Sequence, residues 1–130
     1  MHLADLEPLE AAVLRLLLAG DHPVLAALRT QLPGLVVKTR EHTGVGFFAD
    51  FSVADTALRA SIPSGKLRFG DVEATISGLR HGAGFVLFVD DGLLVMLEGY
   101  SYDEPWPEEI KEFSIRYWDP SRKEVLASLD

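Results

Sequence analysis

The 130-residue chain contains no cysteine. Disulfides, thiolate metal sites and cysteine nucleophiles are thereby excluded, and the composition suits a reducing cytoplasm. Its apolar runs fall far short of the ~20 residues that a membrane span requires, so no membrane association is expected. The first residues are acidic where a secretion signal is basic and then apolar, and we expect no signal peptide. Basic charge is scarce as well: 12 Lys and Arg stand against 20 Asp and Glu. The deficit is uneven. Residues 1–33 carry 2 basic and 4 acidic side chains, residues 34–81 carry 6 and 5, and residues 82–130 carry 4 and 11, a balance of −7. Binding nucleic acid needs a cationic surface, so that ligand class is not expected. A basic protein partner fits the charge, and so does plain solubility. No repeat of fixed period and no low-complexity segment is present.

What is present is ordinary globular material, 48% hydrophobic and 25% charged. At this length a single domain over residues 1–130 is expected, burying roughly two-thirds of the unfolded surface. Its centre is Gly82 to Glu98, where two apolar runs flank Asp91-Gly92, a strong hairpin signal. A tight turn there pairs Asp90 with Leu93, Phe88 with Val95 and Val86 with Leu97. Both faces of that ribbon are then apolar, which predicts a cover on each side and places Phe88 in the core.

Leu6, Leu9, Val13, Leu16 and Leu17 recur at helical spacing, with Pro8 in the first turn. Gly20 suits a left-handed stop, and Asp21 an N-cap for a second helix that carries Leu25, Leu28 and Leu32. From Leu35 the period shortens. Strands are expected over residues 35–42, 47–53, 66–77 (with an irregularity at Gly70), the two arms of the hairpin, and 113–117. Asp119-Pro120 reads as the start of a short closing helix with Val125, Leu126 and Leu129 on its apolar side. The expected fold is α+β: two N-terminal helices packed on a mostly antiparallel sheet of about six strands, then a C-terminal helix.

Chemistry-bearing residues are sparse. His42 and His81 each end an expected strand, and with Asp71 or Glu41 they form a candidate acid–base or metal cluster if their strand ends meet. Glu98, opposite Phe85 in the expected register, needs a partner or a rim position. His2 and His22 fall at a terminus and a helical corner. No His-x-His or His-Glu-x-x-His spacing occurs, so no metal or cofactor is assigned. Ser64 and Ser77 lack a nucleophile elbow. Strands follow Gly44-Val45-Gly46 and Gly82-Ala83-Gly84, which argues for turns over phosphate cradles. The loop after the hairpin differs from the rest. Tyr100, Tyr102 and Trp106 interleave there with Glu98, Asp103, Glu104, Glu108 and Glu109, and Pro105 and Pro107 limit the freedom of the segment. Such a loop is either a recognition surface or a plug for the sheet edge.

The phrases Gly44-Val45-Gly46-Phe47-Phe48, Gly84 through Gly92, and Leu97-Glu98-Gly99-Tyr100 through Trp106-Pro107 resemble those of small uncharacterised bacterial proteins. The last also resembles, loosely, some immunity proteins that neutralise secreted polymorphic toxins. The resemblance implies a non-enzymatic protein-binding role centred on residues 100–109. Two other readings stay open: a small-molecule enzyme or sensor built on His42, His81, Glu98 and Asp71, and a structural homodimer that covers the second face of the hairpin.

Overall fold

A computed structural model describes residues 6–54 and 56–130; His2 lies outside them. Helix α1 spans Pro8–Leu17 and begins where the Glu7 amide donates to Glu10 Oε1 at 2.9 Å. Glu10 is buried, and Arg40 Nε and Nη2 donate to its carboxylate at 3.0 and 2.7 Å. A helix C-terminus leaves carbonyls without intrahelical partners. Here those of Leu16 to Gly20 are taken up. The Tyr117 hydroxyl donates to the Leu16 carbonyl, Arg122 to those of Leu17 and Ala19, and Arg29 to those of Leu18 and Gly20, at 2.6–3.0 Å. Two guanidinium groups at the negative end of the helix dipole add favourable charge.

Gly20 is left-handed, at φ 116°. The next helix, α2 (Pro23–Arg29), is capped one residue later than expected: His22 Nδ1, not Asp21, accepts from the Val24 amide at 3.1 Å. Because Nδ1 accepts, Nε2 carries the proton and donates to Asp130 Oδ1 at 2.8 Å. A 3-10 turn, Leu32–Gly34, leads into the sheet.

The strands are β1 (Val36–His42), β2 (Gly46–Ser52), β3 (Leu67–Phe69), β4 (Val72–Ile76), β5 (Ala83–Asp90), β6 (Leu93–Ser101) and β7 (Phe113–Tyr117). They lie in the order β1-β2-β6-β5-β4-β7, all pairs antiparallel, with β3 also on β5. There are seven because the irregularity at Gly70 divides one expected strand into β3 and β4. The α+β expectation holds.

Asp91 and Gly92, at φ 54° and 71°, form the hairpin turn, and Asp90 faces Leu93 as expected. Beyond that the register slips. A bulge sets Val89 against Leu94, Phe88 against Met96 and Val86 against Glu98, so the expected pairs Phe88–Val95 and Val86–Leu97 do not form. A one-residue slip exchanges the two faces. Phe85, Leu87, Val89, Leu94 and Leu97 are buried on the helical side. Val86, Phe88, Met96 and Glu98 share the other side and are half-buried. The hairpin is thus covered on one face by its own chain, and Phe88 is a face residue where a core residue was expected.

The bulge has a specific support. Buried Gln31, at the end of α2, accepts from the Leu94 amide and donates to the Gly92 carbonyl, both at 2.9 Å. The closing helix α3 (Lys123–Ser128) starts later than Asp119-Pro120 suggests. Asp119 instead holds a turn, accepting from the Ser121 amide and hydroxyl at 3.1 and 2.9 Å. Arg122, at φ 54°, then turns its side chain inward. Its Nε and Nη2 donate to Asp71 Oδ2 and Oδ1 at 2.7 and 2.9 Å, and its guanidinium lies 4.4 Å from the Tyr117 ring centre. No helix of the described residues is long and apolar enough to cross a membrane.

Candidate functional site

The loop after β6 is fastened at both flanks. On one side the Ser101 and Trp106 amides each donate to the β1–β2 turn, reaching the Val45 and Gly44 carbonyls at 2.8 Å. On the other, the Glu104 carboxylate accepts from the Arg80 and His81 amides at 2.9 and 3.0 Å. Those two hydrogen bonds hold its carboxyl below the ordinary value. The Ser101 hydroxyl donates to the Glu104 carbonyl and closes the turn in which Asp103 is left-handed, at φ 64°. Further along, Glu112 exchanges hydrogen bonds with Ser77.

Trp106 is turned inward. Its ring meets Phe47 edge-on, with centres 5.6 Å apart. Phe47 in turn lies across Gly99, where any side chain would meet the ring. This pair seals one end of the core, so Trp106 and Glu104 serve the loop's own architecture. Tyr100 lies on the outer face across Gly84 and packs edge-on against Tyr102 at 5.7 Å. Burial, then Tyr102 and the charge of Glu98, push the Tyr100 phenol above its ordinary pKa. What remains for solvent is Tyr102, 51% exposed, together with the exposed carboxylates of Asp103, Glu108 and Glu109.

Between this loop and the start of α1 runs a cleft of about 710 Å³, lined by Trp106, Pro107, Glu108, Glu109, Ile110, Phe47, Arg40, His42, Glu7 and Glu10 among others. Three chain segments distant in sequence meet here. Nothing local in Glu7, Glu10 or Phe47 announces that role, and only Gly46, where a side chain would meet the Gly99 backbone, hints that another segment approaches closely.

The remaining candidates are dispersed. β1, which ends at His42, is separated from β5, which His81 precedes, by β2 and β6, roughly 14 Å at about 4.8 Å per strand. Asp71 lies a strand farther and is engaged by Arg122. Glu98 is on the outer face, beside Phe48 and Val86. Among the described residues, no group of three or more His, Asp or Glu is placed to hold a metal ion. Comparison of the chain with protein-family models, with curated proteins and with solved structures finds no match.

Proposed function

We propose that the chain is a non-enzymatic protein-binding module, immunity-like in its mode of action, that engages a basic protein through the loop at residues 102–109. One observation carries this reading: the loop is held in place by backbone and carboxylate hydrogen bonds at both ends, while Tyr102, Asp103, Glu108 and Glu109 stay exposed. A loop already ordered before contact loses little freedom on binding, so its interactions translate into affinity. Its composition supports the same reading. Tyrosine gives rigid contact area, and carboxylates steer a cationic partner and fix its orientation. The balance of −7 over residues 82–130 supplies the long-range attraction.

The test compares the wild-type chain with the triple variant Asp103→Lys/Glu108→Lys/Glu109→Lys as baits in extracts of the native host. Glu104 is left intact because its carboxylate holds the loop. A basic protein retained by the wild type in a salt-sensitive manner and lost from an equally stable variant is the expected result. Retention of the same proteins by both baits, or of none by either, overturns the proposal.

A further inference from the structure

The outer face of the sheet has an ordered charge pattern. One row of cross-strand neighbours reads Thr39, Asp50, Met96, Phe88, Arg68 from β1 to β3. The next reads Glu41, Phe48, Glu98, Val86. Apolar side chains therefore occupy the middle, where Phe48, Val86, Phe88 and Met96 are half-buried and continue into Tyr100. The acids Glu41, Asp50 and Glu98 all lie on β1, β2 and β6. The bases Arg68 and Arg116 lie on β3 and β7; of the acids on that side, Glu73 is neutralised by Arg116 at 3.0 Å, and Asp90 lies at the exposed tip of β5 opposite Leu93. Among the described residues Arg68, Glu41 and Glu98 have no ion-pair partner within the chain.

We propose that this face binds a second copy of the chain, face to face, about a two-fold axis that runs along the strands between β5 and β6. That operation lays β6 over β5 of the copy and β2 over its β3. Met96 then meets Phe88 of the copy, and Asp50 meets Arg68 of the copy, each contact made twice. A two-fold axis across the strands fails, because it sets the acidic half on the copy's acidic half. Two aligned sheets pack about 10 Å apart with their strands within about 30° of each other, which fits such a pair. Six strands at about 4.8 Å spacing and about 20 Å in length give a footprint of roughly 500 Å² in projection. This is at the small end for a stable dimer, so association in the micromolar range is expected.

Sedimentation velocity over roughly 2–200 µM reads this directly. The wild type is expected to shift from monomer to dimer, and to do so less at high salt. Asp50→Arg or Arg68→Glu alone sets like charges against each other in the dimer, and each should weaken association by about tenfold or more. An equimolar mixture of the two single variants restores opposite charges at both contacts. It should recover dimer, as should the double variant Asp50→Arg/Arg68→Glu. A wild type that stays monomeric throughout overturns the proposal and frees the face for another occupant. So does a dimer indifferent to both reversals, or single variants that weaken association but do not complement each other.

Discussion

Asp71→Ala is the most informative single perturbation of this fold. The Asp71 and Arg122 side chains are 2% and 8% exposed, and two hydrogen bonds of 2.7 and 2.9 Å join them. Burial opposes the guanidinium charge, but the hydrogen bond and charge of Asp71, with a smaller contribution from Tyr117, outweigh it and raise the Arg122 pKa. Removing the carboxylate leaves a cation away from water. Breaking a buried pair in this way typically costs about 3–5 kcal/mol. Arg122 keeps the Leu17 and Ala19 carbonyls and the Tyr117 ring, so the lower end, about 3 kcal/mol, is expected. At roughly 2.1 cal/mol/K of unfolding entropy per residue, 130 residues give about 0.27 kcal/mol/K, so Tm should fall by about 11 °C. Urea and thermal unfolding followed by circular dichroism measure both quantities. The cycle with Arg122→Met and Asp71→Ala/Arg122→Met separates the pair from the loss of the two helix carbonyls. A single-variant cost below about 1 kcal/mol refutes the claim that this pair is desolvated.

Other outcomes follow from the same geometry. Gln31→Ala strips the buried Leu94 amide of its acceptor and should cost about 1–3 kcal/mol in urea unfolding, with exchange protection lost first at Leu94. Phe85→Ala should cost about 3–5 kcal/mol by opening a cavity, whereas Phe88→Ala, on the half-buried face, should cost roughly 1–2 kcal/mol; equal costs contradict the observed register. Glu104 has its pKa lowered in the folded state, so its contribution is present above the ordinary carboxyl value and disappears as pH falls through the lowered one. Glu104→Gln should accordingly melt below wild type at neutral pH, and the difference should close in acid; a gap that persists or widens there removes the carboxylate from its assigned role.

Much of this architecture is legible in the amino acids. Asp91-Gly92 is readable because few residue pairs adopt two successive left-handed conformations, and the strands at 72–76 and 113–117 show a clean period of two. The bulge is not readable, because Leu93 to Leu97 is apolar throughout and a slip leaves no polar residue out of place. Its determinant, Gln31, comes from another part of the chain. The same holds for Asp71, which stands just before β4 and whose partner lies 51 residues away. The α2 cap moves from Asp21 to His22 because an imidazole nitrogen also accepts an amide, a weaker signal than a carboxylate. In the loop, prolines, aromatics and acids marked the segment as unusual, yet their division into inward Trp106 and Glu104 and outward Tyr102, Glu108 and Glu109 depends on which turns lie beside it.

The carbonyls at the end of α1 carry a consequence for synthesis. They are satisfied by Arg29, Tyr117 and Arg122, two of which the ribosome makes long after the helix itself. A nascent chain arrested before residue 117 holds a first helix whose end is latched by Arg29 alone. Completion of the native state therefore waits for residue 122 to be made, and protease resistance of stalled chains should appear abruptly once that residue has cleared the exit tunnel.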